Sequence, residues 1–270
     1  MISFVIPAYN EELELPSTIA AIKNAAEQVR QFGRRGDTNP SSGGWNGLVL
    51  WRDREYEIIV VDDGSTDATA EVAKGFGVKV LSINRRQIAA ARNAGAHAAR
   101  GDILFFVDAD THINVRHIAD AIAALAAGYS GGSARVAVGG FIPLWARIFL
   151  KIFCVIYFGL NLGAGAFLFT TRHNFEAIGG LNEELFIGEE IFFSLALHKI
   201  GRFKILDEPI VTSGRKLRMY SGCEIFTNMF AVMIGGTQVA HSRDKLDLWY
   251  NGKRETGSDF AVSLRRDKST

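Results

Sequence analysis

Cysteine is nearly absent. Cys154 and Cys223 are the only two in 270 residues, far apart and each among apolar neighbours. They form no C-x-x-C and no metal-ligand spacing. That excludes a zinc module and a disulfide framework, and the reading is two core thiols in a reduced compartment. An excess of one charge is absent as well: Lys and Arg number 30, Asp and Glu 29, for a formal net charge of +1. No field points to nucleic acid, and there is no acidic tail. No basic region with a short apolar core precedes the first strand-like run, "ISFVIP", so the main domain is expected to face the cytoplasm. No G-x-G-x-x-G follows that run and no G-x-x-x-x-G-K-[ST] occurs. A dinucleotide fold and a phosphate-loop nucleotidase are both disfavoured. No internal repeat is visible.

What is present is an alternation. "ISFVIPAYN" predicts a strand ended by Pro7, followed by a helix with its acidic end first, which suits the helix dipole. "YEIIVVDD", "VKVLSI" and "DILFFVDAD" predict three more strands, separated by the helices "ATAEVAKGFG" and "QIAAARNAGAHAARG" and followed by "VRHIADAIAALAAG". The pattern argues an α/β sheet, mostly parallel, with helices on both faces. Residues 33–54 interrupt it with turn chemistry, and "WNGLVLW" could form a small hairpin or a flap. After Ser133 the rhythm changes. "ARVAVGGFI", "AGAFLFTTR" and "RFKILDEPIVTSGR" predict strands, and "GEEIFFSLALHKIG" a helix.

In open parallel sheets, ligands bind beyond the carboxyl ends of the strands. Three acidic features stand at such places: Asp62 and Asp63, Asp108 and Asp110, and Glu189 and Glu190 after Gly188. Helix capping is the plain alternative, with Ser65, Thr66 and Asp67 serving one helix and Asp110 another near Val115. Capping explains one cluster and explains three poorly. On an extended strand Asp108 and Asp110 would point the same way, with Ala109 opposite. Two such carboxylates suit a hard divalent cation that takes phosphate oxygens for the rest of its shell. The first loop, "PAYNEE", offers a proline, an aromatic and an amide to shape a slot for a flat base, with Asp63 free to accept from a ring N–H or a ribose hydroxyl.

Together "FVIPAYNEE", "IIVVDDGSTDAT", "RNAGAHAARGDILFFVDAD" and "AIGGLNEELFIGEE" resemble a family 2 glycosyltransferase, over roughly residues 1–210. The resemblance implies a GT-A fold and inverting transfer of a sugar from a nucleotide-diphosphate donor to an acceptor hydroxyl on a lipid or glycan. It implies Mg²⁺ or Mn²⁺ as cofactor. It puts Pro7, Ala8, Tyr9, Glu11 and Asp63 around the nucleoside, and Arg86 near the base or diphosphate. Asp110 becomes the main metal ligand, with Asp108 beside it and nearer the ribose; His241 is a further candidate for the metal shell. Arg215, with Lys216 and Arg218, would neutralise the diphosphate. Glu190 takes the place of the family's catalytic base, where the family usually has an aspartate, so Glu189 stays a rival.

The implied organisation is a donor-binding half at 1–132, an acceptor-binding and catalytic half at 133–215, and a C-terminal helical segment at 216–270. The apolar stretch at 141–160 is marginal in length for a crossing, and Arg147 and Lys151 share one helical face. It reads as an interfacial helix giving peripheral contact at the inner face of a membrane, or as a helix buried in the acceptor half. Two other functional classes stand beside the transferase. A nucleotidyltransferase would usually have a glycine- and basic-rich first loop, which "PAYNEE" lacks. A non-catalytic nucleotide-sugar binding protein is disfavoured by the presence of both the D-x-D and the late acidic pair. Arg92 and Asn93 are expected to pack under the site, Asn93 fixing a loop. His112, His117 and His198 are expected to be structural.

Overall fold

Strand β1 (Ile2–Ala8) is buried along its whole length. It lies at the centre of a computed structural model that describes residues 1–35, 55–139 and 157–213. Most of the 33–54 insert, most of the 141–160 apolar stretch, both cysteines, and Arg215 and His241 lie outside the described residues. β1 does not end at Pro7 as the sequence suggests. The Ile2 N–H donates to Glu55 on one side, and the Met1 carbonyl accepts from Asp102 on the other. Odd residues of β1 therefore turn their amides toward the Asp102 side. That ladder stops at Val5↔Phe106, so Pro7 sits where no donor is required.

Helix α1 (Leu15–Arg35) starts later than its acidic flank suggests: Glu11, Glu12 and Glu14 form the turn before it, and its first turn holds no acid. Then come β2 (Tyr56–Asp63), α2 (Thr69–Gly75), β3 (Lys79–Ile83), α3 (Ile88–Ala98), β4 (Ile103–Val107), β5 (Thr111–His112), α4 (Val115–Ala126) and β6 (Tyr129–Gly139). β7 (Phe167–Thr171), α5 (Arg172–Ala177), α6 (Glu189–Ile200) and β8 (Arg202–Ser213) complete the described elements. One eight-stranded sheet results, in the order β3-β2-β1-β4-β7-β6-β8-β5. β1, β2, β3 and β4 are mutually parallel, as are β6 and β8. β7 runs antiparallel to both its neighbours, and β5 antiparallel to β8.

The strand period of two sorts the core into two layers. Phe4, Ile6, Val60 and Phe105 face α1 and α4, where Ile19, Ile22, Ile118 and Ile122 meet them. Val5, Ile59, Val61, Leu104 and Phe106 face α3 and α6, meeting Ala89, Ala96, Phe193 and Leu197. The alanines of α3 have a use here, since small side chains let the helix lie close to the sheet. A Cβ on Gly95 would come 2.2 Å from Val5 Cγ1 and 2.9 Å from Val61 Cγ2. That close approach brings Arg92, one turn earlier on the same helix, within reach of the strand ends. Among the described residues no helix is long and apolar enough to cross a membrane.

Candidate active site

The loops leaving β1 and β2 are clasped together. Asn10 adopts a positive φ of 53°. Its N–H donates to Ser65 Oγ at 3.0 Å, and its Oδ1 accepts from the Thr66 N–H at 2.8 Å. Glu12 accepts from the Ala68 N–H at 2.9 Å, and Asp67 accepts from the Glu12 N–H at 3.2 Å. Ser65 and Thr66 thus serve this clasp, and it is Asp67 that helps start α2, accepting from the Thr69 N–H at 3.0 Å.

Asp63, expected at the nucleoside, accepts from three backbone N–H groups. Its Oδ1 accepts from the N–H groups of Arg85 (2.6 Å) and Arg86 (2.8 Å), and its Oδ2 from that of Gln87 (2.7 Å). A carboxylate offers about four acceptor positions, so three backbone donors leave one. Asp63, buried at 4% exposure, pins the loop that opens α3. The pinned loop holds Arg86 at a φ of 51° and lays its guanidinium over the Tyr9 ring, 3.3 Å from the centroid. Tyr9 and Arg86 are therefore brought together as a stacked pair. Pro7 and Ala8 have buried side chains, Ala8 in the core, so they could meet a ligand only through backbone. Glu11 is half-buried at the start of the clasp and donates its N–H to Thr69 Oγ1 at 2.8 Å.

Asp108 and Asp110 do not lie on an extended strand. β4 ends at Val107, and a turn closed by the Thr111 N–H on the Asp108 carbonyl (3.1 Å) carries both aspartates. Thr18 on α1 donates its hydroxyl to the Ala109 carbonyl at 2.8 Å, and the Asp108 N–H donates to Ala166 at 3.1 Å. These bonds bury Ala109 and leave both carboxylates partly exposed. Asp110 accepts from Thr212 Oγ1 at 3.2 Å. It does not cap α4, a task performed by Asn114 and His117 in a reciprocal capping box.

Arg92, expected to pack under the site, is buried there and also joins its parts. It is 1% exposed. Nη1 donates to Glu189 Oε1 at 2.7 Å, and Nη2 to Asp108 Oδ1 at 2.9 Å and to the Gly165 carbonyl at 2.8 Å. Burial disfavours the cation, but Asp108 and then Glu189 outweigh it and raise its pKa. Breaking such a buried pair costs about 3–5 kcal/mol. Burial likewise pushes Asp108 up to about 6; Arg92 opposes this, and Asp110 and Glu189 add to it. The neighbouring Asn93 takes the loop role expected of it. It donates to the Leu181 carbonyl and Glu183 Oε1, each at 2.9 Å, and accepts from the Leu181 N–H at 2.9 Å.

Glu189 and Glu190 open α6 behind Gly188, which has a φ of 78°. Glu189 is buried against Arg92, while Glu190 is half-buried beside Gly165, where an added Cβ would lie 3.6 Å from Glu190 Cβ. The helix start does not keep Glu190 in the ordinary carboxylate range. Burial raises its pKa to about 8, the Glu189 carboxylate adds to this, and the backbone N–H and Arg92 only partly offset it. Tyr157 stands in the same field: burial and then the two glutamates raise its phenol, and its hydroxyl donates to the Gly163 carbonyl at 2.9 Å.

Among the described residues no group of three or more His, Cys, Asp or Glu side chains is arranged to hold a metal. At the D-x-D turn the described residues offer two partly exposed carboxylates, Asp108 and Asp110. That donor set fits Mg²⁺ or Mn²⁺, which are usually held by one or two carboxylates with water and substrate phosphate. His112, His117 and His198 have structural partners, respectively Ser17, Asn114 and Asn161.

Comparison with known proteins agrees with this architecture. A dolichyl-phosphate beta-glucosyltransferase of Drosophila melanogaster is 37% identical over 117 residues, 40% of this chain and 30% of that protein. An undecaprenyl-phosphate 4-deoxy-4-formamido-L-arabinose transferase of Aeromonas hydrophila is 29% identical over 137 residues, 48% of this chain and 35% of that protein. The chain thus spans about a third of the length of these relatives. Among solved structures, the mannosyltransferase PcManGT of Pyrobaculum calidifontis, in complex with GDP-Man and Mn²⁺, superposes with a TM-score of 0.57 at 17% identity, covering 98% of this chain and 68% of that one. S. aureus TarS 1-349 in complex with UDP-GlcNAc gives a TM-score of 0.55 at 20% identity, covering 93% and 71%. The fold is that of the GT-A nucleotide-sugar transferases. Residues 3–153, more than half of the 270, match the family model of Glycosyl transferase family 2, and the chain belongs to that family.

Proposed function

We propose that this protein transfers a sugar from a nucleoside-diphosphate donor to an acceptor oxygen on a lipid-linked or glycan substrate, with inversion at the anomeric carbon. The observation that carries the reading is the buried guanidinium of Arg92, bonded at once to Asp108 of the D-x-D and Glu189 of the acidic pair. It supports a site in which donor phosphates and acceptor meet at the carboxyl ends of β1, β2 and β4. The relatives named above support the substrate classes: lipid phosphates for two of them, GDP-Man and UDP-GlcNAc for two solved structures.

In this mechanism Glu190 accepts the proton of the acceptor as its oxygen attacks the anomeric carbon. The bond from that carbon to the diphosphate oxygen breaks, and the nucleoside diphosphate leaves on the opposite face. A carboxyl with a pKa near working pH is a stronger base than an ordinary glutamate once deprotonated. The Glu189 carboxylate is engaged by Arg92, which leaves Glu190, whose pKa burial raises, for this role. Asp108 and Asp110 would hold Mg²⁺ or Mn²⁺, which when bound neutralises charge on the departing diphosphate. Tyr9 and Arg86 are proposed to lie on the nucleoside side, with Asp63 shaping their loop. Arg215 and His241 keep their proposed roles on the diphosphate and the metal. We place the protein at the cytoplasmic face of a membrane as a peripheral enzyme, on the strength of the apolar 141–160 sequence. Release by carbonate washing is the expected result, and a wholly soluble fraction would refute the placement.

The test of the activity is a donor screen that reads released nucleoside diphosphate, with and without Mn²⁺, against polyprenyl phosphates and simple sugars. One donor should turn over, and Glu190→Gln should slow transfer by about 10²-fold or more with donor affinity nearly unchanged. Pyrophosphate release from a nucleoside triphosphate and a sugar phosphate, with no sugar transfer, would overturn it.

A further inference from the structure

We propose that Arg92 is a positioning residue that ties the D-x-D turn to the acidic pair, and so selects Glu190 as the carboxylate left to act on the acceptor. The inference rests on the transferase reading above and goes beyond it by assigning a role to a residue outside the family motifs for metal and base. One cation faces three carboxylates, those of Asp108, Glu189 and Glu190. Its two terminal nitrogens are spent on the first two, at 2.9 and 2.7 Å, and on the Gly165 carbonyl at 2.8 Å. Only a planar fork can satisfy groups in these directions at once, and a lysine ammonium on the same helix position could not.

The surroundings are built to hold that fork. Gly95 lets α3 lie against Val5 and Val61, and Gly165 leaves room beside Nη2, which a Cβ there would approach to 3.1 Å. On either side of Arg92, α3 grips the chain leading to α6. Gln87 donates to the carbonyls of Glu183 and Leu185, and Asn93 bonds Leu181 and Glu183. Helix α3 therefore fixes the 181–185 loop by its neighbours and the first residue of α6 by Arg92. Glu189 is held inward against Arg92, which leaves Glu190 over Gly165 with the Glu189 side chain, rather than the guanidinium, as its hydrogen-bond partner.

The test uses Arg92→Lys, Glu189→Gln and the double variant in the full chain. Each is measured by urea unfolding, by calorimetry of Mn²⁺ with UDP or GDP, and by kcat and acceptor KM. Glutamine keeps an acceptor oxygen for Arg92, so Glu189→Gln should lose about tenfold in kcat, whereas Arg92→Lys should lose about 10²-fold with acceptor KM nearly constant. The double variant should be no slower than Arg92→Lys alone, because both break one link. A purely structural role would lower stability and leave kcat of the folded fraction unchanged. Arg92→Lys with normal kcat overturns the proposal, as do losses that multiply in the double variant. If Arg92→Lys does not fold, Asp108→Asn replaces it in the same cycle with Glu189→Gln, and additive losses again overturn the proposal. If the unaltered chain turns over no nucleotide sugar, the transferase reading fails, and the link is judged by calorimetry. Glu189→Gln must then shift Mn²⁺ affinity by about threefold or more and lose that effect when Arg92 is lysine; no shift overturns it.

Discussion

Asp63→Asn separates a ligand contact from a structural pin. The substitution keeps size and shape but gives one oxygen and one nitrogen where three backbone N–H groups now point at two oxygens. With its oxygen at the Oδ1 position, asparagine retains the donors of Arg85 and Arg86 as neutral bonds and sets its NH₂ against the N–H of Gln87. A hydrogen bond to a charged acceptor contributes about 1.5–3 kcal/mol and a neutral one about 0.5–1.5. One bond lost and two weakened sum to about 3.5–6 kcal/mol. That is a large share of the roughly 5–15 kcal/mol that holds a domain folded. Urea unfolding followed by far-UV circular dichroism should show a lower midpoint with an unchanged slope. A stability within about 0.5 kcal/mol of the unaltered chain, together with a large loss of nucleoside-diphosphate affinity, would refute the reasoning and return Asp63 to the nucleoside.

Asp110→Ala should abolish Mn²⁺-dependent binding of nucleoside diphosphate in calorimetry while moving the unfolding midpoint little, since its carboxylate is partly exposed and accepts from Thr212 at 3.2 Å. Transfer should accelerate as pH rises through about 8, where Glu190 loses its proton, and Glu190→Gln should erase that limb of the rate profile. Stability should move the opposite way. The folded chain holds this proton up to about 8 while the unfolded chain releases it near 4.5, so the contribution is complete below the lower value and is lost as pH rises through the higher. Urea midpoints for Glu190→Gln should fall less steeply across that window than those of the unaltered chain. Gly95→Ala should lower stability by about 1–3 kcal/mol through overpacking, because the new Cβ meets Val5 Cγ1 at 2.2 Å; an unchanged thermal midpoint would show that α3 can shift at no cost.

Much of the fold was legible because strand and helix carry different periods. The apolar blocks of β1, β2 and β4 and the alanine-rich run of α3 announce themselves, and so does their order. Direction was not legible beyond the first alternation. A buried strand such as "FLFTT" is apolar on both faces whichever way it runs, so nothing local says that β7 is antiparallel to β4 and β6. The two residues of β5 are too few to show a period. The D-x-D was found by spacing, yet the reason offered for it was incomplete. The carboxylates face out because a turn pinned by Thr18 and Ala166 turns them out, a long-range fact.

Two adjacent aspartates at a strand tip called for another partner, and the structure supplies a different one to each. A strand sends neighbouring side chains to opposite faces. Asp62 therefore bends back to its own loop at Ser65, while Asp63 reaches across to residues 85–87. The partner of Asp63 is backbone, which no side-chain pattern advertises. Arg92 did leave a signal. In "AAARNAG" it is the one long cation among residues too small to cover it, and a helix that buries alanines on all sides must bury that arginine too. Burying a guanidinium demands carboxylates, and the unassigned acids of the chain stood at the D-x-D and the "GEE". That demand would have linked Arg92 to both motifs. Which glutamate it holds depends on the approach of α6 to the sheet through Phe193 and Leu197, and that approach is decided by packing rather than by either motif.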